Sequence, residues 1–402
     1  MHIGLITACY KPVVNGVTRM VTLYKSYFEA TGHKVSVFTL GCQTKTENEA
    51  NIYRSPAIPL GSTGYHFALR YSENARRALS SVDIIHCHHL IMGLEFAHRY
   101  GRCPVVFTNH TRYDLYTCAY TRMPQRAADQ LFKFIWPLMT SFCDVVVLPS
   151  ESLSRVMGEF GVECPKVVIN NGIDLARFRK TNKERIWQKL QIQDGAIPII
   201  YVGRLSPEKN LDSLLKAFAI AVASVPDIVL ILVGSGPLQG KLHRLAIRMG
   251  VDDKVRFCGS VPNESVPDYL AAAEMFVTAS TTEVHPLAVI EAMAAGLPVV
   301  AIKSPGIVDL VKPGITGLLV ENNAGALAES MVILGQDKHK RYLMGALAQQ
   351  MSHNYDIKTT VEQTLVLYQN LIKSKSRKEG LRSRRRMTDL SRRLLHQSVS
   401  KG

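Results

Sequence analysis

Two glutamates, Glu283 and Glu291, stand with seven residues between them in Glu283-Val-His-Pro286-Leu-Ala-Val-Ile-Glu291, and Gly296-Leu-Pro298 follows. Pro286 suits the first turn of a helix, and Gly296 with Pro298 suits its end. Glu283 then lies in the loop before the helix and Glu291 in its second turn. The unshared N–H groups of such a helix start, near Leu287 and Ala288, favour an anion such as a diphosphate, by ~0.3–2 kcal/mol per charge from the dipole. A carboxylate beside that site repels phosphate and suits hydroxyls instead: ribose for Glu291, a sugar for Glu283. A surface helix whose acids merely complement its dipole fits the same spacing, and spacing alone does not choose.

A second group is Val202-Gly203-Arg204-Leu-Ser-Pro-Glu-Lys209-Asn210, directly after an apolar run. Arg204 and Lys209 on one loop would neutralise a diphosphate and stabilise it as a leaving group. A solvated basic loop is the commoner fate of Arg and Lys, but the position after a strand end favours function. Leu232-Val-Gly234-Ser-Gly236-Pro is a glycine-rich turn after a strand, which allows close backbone approach to a nucleotide. It is not G-x-G-x-x-G, so it is no dinucleotide fingerprint. Asn15-Gly16-Val17 makes another tight turn after the first strand.

His110, in Thr108-Asn-His110-Thr-Arg112, could orient or polarise a sugar hydroxyl near a reacting carbon, although a lone histidine is more often structural. His86-Cys87-His88-His89 invites a metal reading, but alternate residues of a strand face opposite ways. No Asp-x-Asp occurs to hold a metal against a diphosphate. Metal-free chemistry with no cofactor beyond the nucleotide-bearing substrate is the expectation.

Elements in a regular rhythm must position these residues. Ile3–Thr7, Lys34–Phe38, Ile84–His86, Val105–Thr108 and Val145–Leu148 read as buried parallel strands, with helices over 16–31 and 67–81. After a pause at 180–195 the rhythm restarts with Ile199–Val202, Val229–Val233, Val255–Phe257, Met275–Val277, Val299–Ile302 and Gly317–Leu319. The fold class is therefore α/β, with two doubly wound Rossmann-like domains. The expected divisions are an acceptor-binding domain at 1–185, a nucleotide-binding domain at 196–355, a crossover helix at 356–373 and a basic disordered tail at 374–402. Ligands of open α/β sheets sit beyond the strands' carboxyl ends, so the two sheets are expected to face across a cleft.

The chain has 402 residues, 47% hydrophobic and 20% charged, which excludes global disorder. Its net charge of +15 is uneven: residues 373–402 hold eleven basic and two acidic side chains. Eight cysteines without a C-x-x-C pair point to a reduced protein. The N-terminus reads as a strand, not as a signal peptide, and no apolar run reaches the ~18 residues of a spanning helix. A cytoplasmic protein, peripheral on the inner face of the cell membrane, is the expectation.

On Glu283 and Glu291, Gly203-Arg204 to Lys209, Gly234-x-Gly236-Pro, Asn171-Gly172-Ile-Asp174 and Gly32-His33-x-Val35, the chain resembles family 4 glycosyltransferases of the GT-B type over about residues 1–370. Val284 and His285 depart from that family's frequent Gly-Phe, which bears on the donor sugar. The resemblance implies retaining, metal-independent transfer from a nucleotide sugar, most commonly a uridine one. It puts Arg204, Lys209, Leu287 and Ala288 on the diphosphate, Gly16 and Gly234 on the nucleotide, Glu291 on ribose, and Glu283 and His110 on the sugar. The departing phosphate oxygen would take the acceptor's proton.

Asn109-His-Thr-Arg-Tyr-Asp-Leu-Tyr, with Asp83-Ile-Ile-His-Cys-His-His, is most similar to the diacylglycerol glucosyltransferase branch. That similarity implies UDP-glucose as donor and a lipid acceptor. Residues 122–136 interleave cations with aromatic and aliphatic groups, as a membrane interface does; a core-facing helix with a solvated basic side is the slightly plainer reading of the segment by itself. The tail could gain ~1 kcal/mol per cation near anionic lipid, or simply be solvated. It lacks the aromatics of a base-stacking segment, so no nucleic acid is expected. The competing reading is a soluble sibling acting on a sugar, polyol or cell-wall precursor, for example with GDP-mannose. An epimerase, or a nucleic-acid-binding module on the same frame, is a distant third.

Overall fold

The computed structural model describes residues 1–42, 49–60, 65–121 and 123–376. The first part of the chain forms β1 (His2–Ile6), β2 (Lys34–Leu40), β3 (Ile52–Ser55), β4 (Ile58–Pro59), β5 (His66–Phe67), β6 (Ile84–Cys87), β7 (Val105–Thr108), β8 (Val145–Leu148) and β9 (Lys166–Val168). The second part forms β10 (Ile197–Val202), β11 (Ile228–Val233), β12 (Val255–Gly259), β13 (Met275–Thr278), β14 (Val299–Ile302) and β15 (Gly317–Val320). Two sheets result, ordered β3-β2-β1-β6-β7-β8-β9 and β12-β11-β10-β13-β14-β15, with β4-β5 as a separate antiparallel pair. Every pairing within the two large sheets is parallel. Each has the doubly wound form expected from the alternation of apolar runs and amphipathic stretches.

The two-residue period of a strand explains the layers. Along β10, Ile200 enters one apolar cluster while Ile199 and Tyr201 enter another; along β11, Ile231 and Val233 separate in the same way from Leu230 and Leu232. Both faces are thus covered, as parallel sheets require. The cluster holding Ile200 and Ile231 also holds Ile3, Leu5 and Val35 of the first sheet, with Ile357 and Tyr368 from the chain's end. The lobes therefore share one apolar layer.

The final helix, residues 357–376, starts one residue after the expected position and continues past 373. It returns to the first lobe. Thr360 donates to the Asn170 carbonyl at 3.0 Å, and the Tyr368 hydroxyl meets His86 Nδ1 at 2.5 Å. The fit is close: a Cβ on Gly172 would come within 2.5 Å of Ile357 Cα. This accounts for the glycine in Asn171-Gly172 without a ligand. Most of the basic tail, residues 377–402, lies outside the described residues.

Three expectations are corrected. The helix expected over 67–81 spans only Glu73–Leu79, because the Ser72 side chain caps it there and Phe67 pairs instead with Ile58. Short strands β3 and β9 were not foreseen. Residue 185 lies inside a helix, Lys183–Leu190, whose Trp187 indole N–H donates to the Ala272 carbonyl of the second lobe at 2.9 Å.

Candidate active site at the lobe junction

β10 and β13 are neighbours in the second sheet, so the loops leaving their carboxyl ends run side by side. The first loop carries Arg204 and ends in a single 3₁₀ turn, Pro207–Lys209; the second carries Glu283. That adjacency brings Lys209 Nζ to 2.7 Å from Glu283 Oε1 across 74 residues of sequence. Both side chains are mostly buried, at 16% and 14% exposure. Burial works against the ammonium charge, but Glu283 outweighs it and raises the Lys209 pKa above its ordinary value.

Arg204 has its own partner. Its Nη2 lies 2.9 Å from Glu208 Oε1, and Tyr120 of the first lobe donates to Glu208 Oε2 at 2.7 Å. Ser206 also donates to Glu208, at 2.6 Å. These donors and the two cations overcome the burial of Glu208 and depress its pKa. The basic loop is therefore not a solvated one: each cation is paired with a carboxylate. Ser280 and Thr282 donate to the Glu208 carbonyl, at 3.3 and 3.4 Å, which ties the two loops together.

The helix after Glu283 spans Leu287–Ala294, with Pro286 at its N-cap position, one place earlier than expected. The Val289 and Ile290 N–H groups return to the Pro286 carbonyl, at 3.1 and 3.3 Å. The preceding N–H groups, those of Leu287 and Ala288, have no acceptor within the helix. Glu291 is fully buried and meets Arg19 of the first lobe in a two-pronged ion pair, with Nη1 at 3.0 Å from Oε2 and Nη2 against Oε1. Arg177 approaches the same Oε1, at 3.8 Å.

The glycines divide into two kinds. A Cβ on Gly234 would collide with the Gly203 carbonyl and one on Gly236 with the Leu205 carbonyl, so close packing of two loops explains this pair without a nucleotide. Gly234 also has φ +136°, which favours glycine. A Cβ on Gly16 would meet nothing within 4 Å. Gly16 is not a tight turn but the first residue of the helix Gly16–Ala30, which Asn15 and Thr18 cap reciprocally.

His110 follows β7 and pairs with His88 at 3.0 Å, His110 Nε2 to His88 Nδ1. His86 and His88 lie side by side, their rings tilted by 35° with centres 4.2 Å apart; His89 turns away to accept from the Ala8 N–H at 3.1 Å. Burial pushes His110 down to about 3, with His89 adding to the effect, and burial takes His89 to about 4. These imidazoles are neutral at physiological pH. Among the described residues, no three His, Cys, Asp or Glu side chains gather as a metal site would require.

The structure thus brings Arg204, Lys209 and Glu283 together, and places Glu291 at the interlobe surface. Arg19, Arg177, Glu208 and Tyr120 were not foreseen. The i, i+4 spacing of Arg204 and Glu208 was a legible signal; Arg19 and Glu291 stand 272 residues apart, and nothing in the sequence joins them.

Residues 14–177 match the model described as Glycosyltransferase Family 4, and residues 182–351 match Glycosyl transferases group 1. The alpha-monoglucosyldiacylglycerol synthase of Streptococcus pneumoniae is 30% identical over 83% of this chain and 78% of its own length. The synthase of the same name from Acholeplasma laidlawii is 30% identical over 80% and 85%. Among solved structures, Anabaena HepE in complex with UDP-glucose superposes with a TM-score of 0.75 at 21% identity, covering 92% of this chain and 100% of that one. The chain belongs to the family 4 glycosyltransferases of the GT-B fold, enzymes that move a sugar from a nucleotide sugar.

Proposed function

We propose that the protein transfers glucose from UDP-glucose to a diacylglycerol-type lipid at a membrane surface, with retention of configuration and without a metal. The observation that supports the chemistry is the Lys209–Glu283 ion pair, which joins the loop carrying Arg204 to the loop that leads into the helix beginning at Leu287 and Ala288. In this reading the diphosphate lies against the two cations and the helix N–H groups. The bond from the sugar's C1 to the phosphate oxygen breaks as the acceptor oxygen attacks from the same face. The acceptor's proton passes to the departing phosphate oxygen. Positive charge placed where negative charge develops favours departure over binding. Lys209 engages Glu283 through Oε1 and leaves Oε2 to a sugar hydroxyl. His110, neutral, hydrogen-bonds to the sugar. Gly16 leaves room for the nucleotide at the first lobe's helix start. Glu291 takes the ribose hydroxyls.

The lipid acceptor rests on the first lobe's surface and on the relatives' names. The helix Gln125–Thr140 buries Ala128, Phe132, Trp136 and Thr140 and points Leu131, Phe134 and Leu138 outward, at 42%, 70% and 48% exposure. Positions 131, 134 and 138 make one stripe at helical spacing, and exposed Arg126 and Lys133 stand together on one side of the helix, between that stripe and the buried face. The outer face is therefore apolar as well as basic, which suits an interfacial helix. Among the described residues no helix is long and apolar enough to cross a membrane. The test is a panel of nucleotide sugars with vesicle-borne diacylglycerol and soluble acceptors, in EDTA, read by mass spectrometry. Glucosyl-diacylglycerol formed from UDP-glucose supports the reading. A product only on a soluble acceptor, or only with added metal, refutes it.

A further inference from the structure

We propose that Arg19, supplied by the first lobe, is the positioning residue of Glu291, so that the nucleoside part of the donor site is built from both lobes. This rests on the reading of Glu291 as the ribose-binding group. Glu291 has no exposed surface, and a buried carboxylate without a counter-charge takes up a proton or moves toward water. Arg19 holds it by both oxygens, with Nη1 at 3.0 Å from Oε2 and Nη2 against Oε1. A two-pronged guanidinium fixes the plane of the carboxylate as well as its charge. Two of roughly four lone-pair directions are then taken, and the others suit the two hydroxyls of a ribose.

The first lobe fixes where Arg19 stands. Asn15 accepts from the Thr18 N–H at 2.9 Å, and the Arg19 N–H returns to the Asn15 carbonyl at 3.0 Å, which anchors the first turn of Gly16–Ala30. Arg177, on the segment between the sheets, stands 3.8 Å from the same carboxylate and donates to the Asn263 carbonyl. Arg19 keeps 18% of its side chain exposed while Glu291 keeps none, so the pair is almost wholly withdrawn from water. Parting the lobes would remove Arg19 from Glu291. Ribose recognition and lobe apposition are in this way one event.

A bridge that only joined the lobes would show the same geometry, and ribose discrimination separates the two roles. The affinities of UDP and of 2′,3′-dideoxy-UDP are measured by titration calorimetry for the full chain and for R19Q, R19K and E291Q. In the unaltered protein, UDP should bind on the order of 10-fold to 100-fold more tightly than the dideoxy nucleotide, as two hydrogen bonds to a charged group imply. R19Q and E291Q should each reduce that ratio to within about threefold, with little change for the dideoxy nucleotide. R19K, which keeps the charge but not the fork, should fall between. A ratio that survives R19Q, or an equal loss for both nucleotides, overturns the role of Arg19. A ratio near one in the unaltered protein overturns the assignment of Glu291 to ribose, and the proposal with it.

Discussion

At the scale of single residues, the candidate site is a set of paired charges, mostly buried: Lys209 with Glu283, Arg204 with Glu208, and Arg19 and Arg177 with Glu291. Removing one leaves the other stranded, which costs more than a surface pair would. Glu208→Gln keeps the shape of Glu208 but removes the charge that Arg204, Tyr120 and Ser206 converge on. We expect turnover to fall about tenfold, with UDP affinity altered less, in steady-state and binding measurements. The buried histidines give a second prediction. His86, His89 and His285 are held by burial near 3, 4 and 3, whereas an unfolded histidine titrates near 6.5. The unfolded chain therefore binds more protons below that pH. Stability is fully present above about 6.5 and is lost as pH falls toward 4, by on the order of 1.4 kcal/mol per unit for each such group. Urea midpoints at pH 7.5 and 4.5 check this. A midpoint unchanged between them would contradict the neutral, sealed environments. Arg204, Lys209 and Glu283 were legible in the sequence because they stand on loops after strands, and Glu291 because it follows one turn into the helix behind Pro286, where local spacing carries the signal. Arg19 was not, because only the meeting of two lobes makes it a partner.

At the scale of elements, the helix Gln125–Thr140 makes the sharpest case. Its sequence reads as a core helix or an interfacial one, and the structure gives it a buried face of Ala128, Phe132, Trp136 and Thr140 and an exposed stripe of Leu131, Phe134 and Leu138. Fully burying one large apolar side chain is worth ~1.5–3 kcal/mol, so three in a stripe can hold a lobe on a bilayer. Phe134→Ser with Leu138→Ser should reduce sedimentation with anionic vesicles at least tenfold while leaving UDP affinity within about twofold. Undiminished sedimentation would move the membrane contact elsewhere. The long apolar runs, such as Val145–Leu148 and Val299–Ile302, were read to the residue because a strand buried on both faces admits little else. Ile52–Ser55 and Lys166–Val168 were missed because they are edge strands, short and partly polar. The helix expected over 67–81 failed for another reason: the Ser72 cap decides where a helix begins, and apolar periodicity does not.

At the scale of the whole molecule, the chain's end holds the lobes in register. Tyr368 hydrogen-bonds with His86 and Thr360 donates to the Asn170 carbonyl, so the final helix is part of the first lobe's packing although it follows the second. Tyr368→Phe leaves His86 Nδ1 without that partner in a buried place and should cost ~1–3 kcal/mol of stability, read from chemical denaturation. The central claim is that the cations of the second lobe act when the sugar departs, in a cleft whose other wall holds the acceptor. The direct test is the variant carrying both Arg204→Ala and Lys209→Ala, with turnover at saturating UDP-glucose and UDP-glucose affinity measured separately. Loss of one such transition-state donor costs about 100-fold to 1,000-fold in turnover. Turnover should fall by at least that factor in the double variant, with affinity weakened by no more than about tenfold. Turnover retained at saturation, with the whole loss in affinity, would contradict it.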